Sequence, residues 1–143
     1  MTNTAYDDSN VFAKILRGEM PVHKVYEDAK TLAFMDIMPR VDGHVLVIPK
    51  APSRNILDVA PDDLAHVIAV TQKIARAAKQ AFQADGVALH QFSEAAGGQV
   101  VFHLHFHVLP MKEGVAMRPA GVIDDQALIA QYADILRAVL TNS

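Results

Sequence analysis

Residues 97–110 read GGQVVFHLHFHVLP. Three histidines, His103, His105 and His107, fall in five positions, each separated by one apolar residue. Taken as a strand over Val100–Leu109, the run sends successive side chains to opposite faces. Val100, Phe102, Leu104, Phe106 and Val108 then form a core face, and Val101, His103, His105, His107 and Leu109 share the other. The imidazoles stand in a row at intervals of roughly 6.6 Å. Valine or threonine is the ordinary filler of a strand face, so this spacing points to chemistry.

Two chemistries use such a row. Alternate histidines on a strand can share a zinc ion, with a further ligand from elsewhere, and His44 is a fourth available imidazole. Against this, the run holds no carboxylate to orient a ligand. Three histidines along an extended strand also cover about 13 Å, too far for all to reach one ion. Alternatively, one imidazole is a nucleophile. Neutral imidazole attacks phosphorus, and its pKa of about 6.5 leaves it largely unprotonated near neutral pH. Crowded imidazoles resist multiple protonation, which helps keep the attacker neutral. His105 is the best candidate because it has a neighbour on each side to bind phosphate oxygens or pass a proton. Gly97-Gly98 permits backbone conformations that aim N–H groups at an anion, and Gln99 adds an amide.

The rest of the chain bounds the choice. Its 143 residues suit one domain with a real core. A net charge of −3 gives no basic footprint for nucleic acid or an anionic membrane. The chain has no cysteine, which excludes disulfides and thiolate metal sites. MTNTAYDDSN lacks the basic and apolar regions of a secretory signal. No apolar run approaches the ~20 residues of a membrane span. The cytoplasm is the expected location. Residues 1–8 are polar and expected to fray, leaving 9–143 as the single domain.

Local signals give the elements. SNVFAKILRG reads as a short helix capped by Ser9 or Asn10 and stopped by Gly18. HKVYEDAKTLAFMDI reads as a hairpin turning at EDAK, with Leu32, Phe34 and Asp36 on one face. Asp42-Gly43 turns the chain into a strand over His44–Ile48. From Pro61 to Ala84 the period becomes 3.6. Leu64, Val67, Ile68, Ile74, Ala75, Ala78 and Phe82 fall on one side, and Asp85-Gly86 is the stop. GVALHQF reads as a further strand. Asp124–Leu140 reads as an amphipathic helix, with Leu128, Tyr132, Ile135, Leu136 and Val139 on its apolar side. This order predicts an α+β fold, an antiparallel sheet with helices packed against it.

The histidine run resembles the signature of the histidine-triad (HIT) family, His-φ-His-φ-His-φ-φ with φ apolar, which residues 103–109 fill without a mismatch. NVFAKILRGEMPVHKVYEDAKTLAFMDIMPRVDGHVLVIPK resembles the N-terminal half of the bacterial nucleotide-binding branch, adenosine phosphoramidase-like, so the likeness spans about residues 9–110. The resemblance implies a HIT-like fold, with a five-stranded antiparallel meander that extends across a homodimer. It implies hydrolysis or transfer at the α-phosphate of a purine nucleotide, such as an AMP derivative, with no obligatory metal or other cofactor. His105 would become nucleotidylated, His103 and His107 would orient it and contact phosphate, and His44 would pair with the triad. Gly97, Gly98, Gln99 and Val100 would lie along the phosphates. Phe12, Ile15, Phe34 and Ile37 would line the base pocket, and Asp36 would accept the ribose hydroxyls.

The sequence departs from the family pattern in three places. Phe92 and Ser93 stand where many relatives carry asparagine. Val100 stands where many carry serine or threonine. Asn10 and Ala13 occupy the positions of a Cys-x-x-Cys that holds a structural zinc in some bacterial members, so no such zinc is expected. His23, His66 and His90 read as structural. Lys50 and Arg54 are possible sources of positive charge near the pocket, and the loop at 111–122 could reach a partner's site. The close alternative is a dinucleoside polyphosphate hydrolase with the same machinery. A nucleotide-binding scaffold with vestigial catalysis and a His-ligated metalloprotein are the alternatives from other classes.

Overall fold

The computed structural model describes residues 5–142. Of the terminal stretch expected to fray, residues 1–4 therefore lie outside the described residues. A short helix, α1 (Val11–Leu16), precedes strands β1 (Lys24–Glu27), β2 (Thr31–Met35) and β3 (Val45–Pro49). Helix α2 (Pro61–Ala81), strands β4 (Gly86–His90) and β5 (Phe106–Met111), and helix α3 (Gln126–Thr141) complete the order. The five strands form one antiparallel sheet in the order β1-β2-β3-β5-β4. The sheet therefore departs from a simple meander at one point: β5, not β4, lies beside β3. Among the described residues, no helix is long and apolar enough to cross a membrane.

Capping chemistry sets the helix ends. Asn10 Oδ1 accepts the Ala13 N–H, which selects it over Ser9 as the cap of α1. Gly18, in the left-handed region at φ 77°, closes α1 with the Glu19 N–H on the Lys14 carbonyl, as helix-ending glycines do. Helix α2 ends earlier than Asp85-Gly86. Gln83 takes the left-handed position at φ 51°. Its N–H bonds the Gln80 carbonyl and that of Ala84 bonds the Lys79 carbonyl, which satisfies the last carbonyls of the helix. Gly86 is thus freed to open β4.

Each face of the sheet has its own core. Ala33, Met35, Val45, Val47, Phe106 and Val108 pack against Val67, Ile74 and Ala78 of α2 and against Ile129, Ala133 and Leu136 of α3. Leu32, Phe34, Leu46 and Ile48 turn the other way and pack against Phe12 and Ile15 of α1. The expected helix stripes are partly displaced: Ile68 and Ile135 are each 44% exposed, while Ala77 and Ile129 are buried.

The strand expected over residues 100–109 begins only at Phe106. Val100 is 84% exposed, not core, whereas His103 and Leu104 are both wholly buried. Two consecutive buried side chains break the alternation of a half-covered strand. Residues 100–105 run instead as an irregular segment, tied by the Leu104 N–H to the Ser53 carbonyl at 2.8 Å. Within β5 the alternation returns. His107 lies opposite Leu46 and so shares its face of the sheet, the α1 side.

Candidate active site

The α1 face gathers four histidines in two groups. His105 and His107 have ring centroids 5.0 Å apart, His44 and His107 are 5.1 Å apart, and Phe12 sits edge-on to His105 at 4.9 Å. His103 lies to one side, 6.4 Å from the ring of Phe12 and 5.5 Å from that of Tyr6.

Burial keeps these rings neutral. It lowers the pKa of His44 and of His107 to about 3 and that of His103 to about 4, and it lowers that of His105 as well. A neutral imidazole carries one N–H, so the partners fix each tautomer. His105 Nδ1–H donates to the His103 carbonyl at 2.7 Å. Its Nε2 lone pair is therefore free, with no bond to another described residue. His103 Nε2–H donates to the Pro49 carbonyl at 2.8 Å, which leaves Nδ1 to accept the Tyr6 hydroxyl. His44 Nδ1 accepts the Arg40 N–H at 3.0 Å, so His44 Nε2–H donates to His107 Nδ1 at 2.9 Å. His107 consequently presents Nε2–H. One ring offers a lone pair, and its neighbour offers a proton.

Both nitrogens of His103 are held by the chain, so its side chain is not free to touch a phosphate. Its carbonyl is what orients His105. Asp36 is mostly buried, and burial raises its pKa, while the Met38 N–H bonds Oδ1 at 2.8 Å and opposes that rise. Its Oδ2 lies 3.5 Å from His44 Nε2. Because His44 stays neutral, this contact is not an ion pair. Asp36, His44 and His107 each bring one ligand atom within 4.8 Å of the others, the spacing of a metal site. The donor set fits poorly. A metal on His44 Nε2 would need a hydrogen on Nδ1, where the Arg40 N–H already points.

The turn before the triad is built differently from the sequence reading. The N–H groups of Gly97, Gly98 and Gln99 bond the carbonyls of Glu94 and Ala95 in a 3-10 turn. Gln99 is buried, and its amide is spent on the chain: Nε2 donates to Arg54 and Val101 carbonyls, and Oε1 accepts from the Glu94 N–H and Asn55 Nδ2. The N–H groups of Val100 and Val101 find no acceptor among the described residues. These, not the glycine amides, are the donors left for an anion. Gly98 holds φ +102°, with the Phe92 ring 3.3 Å from where a Cβ would stand. Glu94 adopts φ 67° and ψ 160°, a region almost confined to glycine. Arg54 and Asn55 pin its carboxylate there. Arg54 is thus committed to Glu94 and lies over the Phe102 ring, and Lys50 pairs with Glu27.

Of the expected base pocket, Phe12, Ile15 and Phe34 are buried together, while Ile37 stands apart, 39% exposed. The loop after β5 folds onto its own chain. Arg118 N–H donates to the Arg40 carbonyl at 2.7 Å and Arg40 Nε returns a bond to the Arg118 carbonyl at 2.9 Å. Asp124 N–H bonds the Ile37 carbonyl. The turn that carries His44 is therefore clasped from behind. His66 pairs with Asp28, His23 with Gln126, and His90 lies opposite His107 at 6.4 Å between ring centroids. The sequence reading missed Tyr6, Asn55, Glu94 and Arg118, all of which act through partners far along the chain and leave no local signal.

The HIT domain family model matches residues 17–114, an interval that contains the triad, His44 and the 3-10 turn. The chain belongs to the HIT family. A crystal structure of a Hit-like protein from Bartonella henselae, described as involved in cell-cycle regulation and holding an unknown ligand, superposes with a TM-score of 0.89 at 50% identity, covering 94% of this chain and 99% of that one. An uncharacterised HIT-like protein of Mycobacterium tuberculosis is 42% identical over 73% of this chain and 72% of its own. An adenosine 5'-monophosphoramidase of Candida albicans is 35% identical over 73% of this chain and 72% of its own. The Bartonella structure shares the fold of this HIT protein.

Proposed function

We propose that this HIT protein is a nucleotide hydrolase or nucleotidyl transferase acting at the α-phosphate of purine nucleoside phosphoramidates. The observation that carries the reading is the tautomer of His105: with Nδ1–H given to the His103 carbonyl, Nε2 is a buried, neutral, unoccupied lone pair. In this reading Nε2 attacks the α-phosphorus and forms a P–N bond. The bond to the leaving amine breaks, and the amine takes the proton of His107 Nε2–H. Water then adds its hydroxyl to phosphorus and returns its other proton to His107 Nε2, so the nucleotidyl-His105 bond breaks, the nucleoside monophosphate leaves and both rings are restored. The Val100 and Val101 N–H groups bind the phosphate oxygens, Asp36 accepts the ribose hydroxyls, and the base lies against the α1-side cluster at Phe12. No metal is required. The kinship to a monophosphoramidase supports the substrate class.

A homodimer belongs to the same reading. The outer edge of β4 is unpaired among the described residues and exposes Leu89, whereas at the opposite edge Arg137 donates to the Lys24 carbonyl of β1. An open strand edge is a template for a second chain.

One observation favours a second reading, nucleotide binding without turnover: Val100 offers no hydroxyl and the Gln99 amide is occupied. Adenosine phosphoramidate supplied in EDTA decides between them. The wild type is expected to release AMP, and His105→Ala to bind AMP while losing turnover by at least about a thousandfold, as for removal of a nucleophile. AMP release by His105→Ala would end the covalent reading. Rescue of an EDTA-silenced wild type by added zinc would favour the metalloprotein. Binding with no turnover of either phosphoramidates or dinucleoside polyphosphates would favour the scaffold.

A further inference from the structure

Nucleophilic attack by His105 requires its Nδ1–H to stay on the His103 carbonyl, and this raises the question of what holds residue 103. The sheet does not, because β5 begins three residues later at Phe106. Among the described residues, the neighbouring backbone anchors are the Leu104 N–H on the Ser53 carbonyl and the Gln99 amide on the Val101 carbonyl. The His103 ring, wholly buried, carries two more. Nε2–H reaches the Pro49 carbonyl at 2.8 Å, and Nδ1 accepts the Tyr6 hydroxyl at 2.5 Å.

Every hydrogen in this group is accounted for. Asn10 Oδ1 accepts the Ala13 N–H, which assigns the other amide atom as Nδ2. Nδ2 donates one hydrogen to the Tyr6 oxygen at 3.0 Å and the other to the Asp7 carbonyl at 2.8 Å. The Tyr6 oxygen, accepting there, is left to donate its own hydrogen to His103 Nδ1. The Tyr6 ring also meets the His103 ring edge-on at 5.5 Å. The contact spans 97 residues of sequence.

We propose that Tyr6 is a positioning residue for the nucleophile: its hydroxyl pins the His103 ring, and the pinned residue keeps its carbonyl on His105 Nδ1. This inference rests on His105 being the attacking group. Among the described residues the Tyr6 hydroxyl bonds only His103 and Asn10, and not His105 or the Val100 and Val101 N–H groups, so its effect is on the rate of attack and not on nucleotide affinity. Without the hydroxyl, Nδ1 of a fully buried ring has no partner, and residue 103 has one fewer restraint in a segment that lacks sheet pairing.

Tyr6→Phe tests this, because it deletes the hydroxyl and keeps the ring. With adenosine phosphoramidate as substrate, kcat is expected to fall about tenfold, the effect of one buried hydrogen bond. KM is expected to stay within about twofold, the signature of an interaction that matters to the chemical step. The burst rate of His105 nucleotidylation should fall by the same factor as kcat. In the ligand-free protein the nitrogen-15 resonance of His103 Nδ1 should move toward that of an imidazole nitrogen without a hydrogen-bond donor. An active wild type whose Tyr6→Phe variant is equally active overturns the proposal, even if the variant melts lower. An unmoved Nδ1 resonance also overturns it, since the contact would then be absent. A wild type without turnover, or an active His105→Ala, instead fails the functional reading, and the positioning role falls with it.

Discussion

Gln99 shows how a residue placed by family resemblance among the phosphate contacts acts through the chain instead. Its four hydrogen bonds join the Arg54 loop, the Glu94 turn and Val101 into one unit. Gln99→Leu keeps the volume and orphans those partners. We expect it to lower unfolding free energy by about 2–4 kcal/mol, from buried polar groups left unpaired. Urea unfolding checks this, and a loss under about 0.5 kcal/mol would show the turn is held by other contacts. The triad was legible because its signal is local and rare: three imidazoles on alternate positions. Tyr6 was not, because a polar N-terminal stretch looks frayed unless its partner is known. Gly43 was legible only in part. The Asp-Gly pair announces a turn, but glycine is needed there because the Phe82 ring lies 2.5 Å from where a Cβ would stand and the backbone holds φ 84°. Only a residue without a Cβ meets both demands without strain.

Among the elements, β5 carries the clearest lesson. The pattern Val-Phe-Leu-Phe-Val fits a strand from residue 100, yet pairing with β3 and β4 begins only at Phe106. Alternation reports which side chains are apolar; it does not report whether a neighbouring strand is present. The segment before β5 is held instead by the Ser53 carbonyl and by the buried His103 ring. Helix ends were legible at α1, where Asn10 and Gly18 supply the caps, and misplaced at α2, where Gln83 takes a conformation that glycine usually takes. Strand β4 has a free outer edge among the described residues, with Leu89 52% exposed, and exposed edges invite pairing. Leu89→Lys is expected to shift the proposed dimer toward monomer without loss of fold, read by sedimentation velocity together with circular dichroism. A wild type that sediments as a monomer, or a variant that dimerises as tightly, would remove β4 as the seam.

For the molecule as a whole, the α+β class followed from element order, but the placement of β5 between β3 and β4 did not, since periodicity carries no information about neighbours. The three buried histidines and the partly buried His107 also make stability depend on acidity. Each has an ordinary pKa of 6.5 that burial lowers, to about 3 for His44 and His107 and about 4 for His103. An unfolded chain takes up protons below its histidine pKa while the folded one does not, so stability is complete above that pH and is lost as the pH falls. Asp36 opposes this, because its raised pKa lets the folded state bind a proton first; it is one group against four. Urea unfolding at pH 7.5 and 5.5 is expected to differ by on the order of 3 kcal/mol. A flat profile would mean the rings are solvated. Finally, the reciprocal bonds between Arg40 and Arg118 bear on biosynthesis. The loop bearing His44 leaves the ribosome long before the segment that locks it. A nascent chain can pair its first three strands while that loop is still unfastened, so competence to hold a nucleotide arrives late in translation, after the core has begun to form.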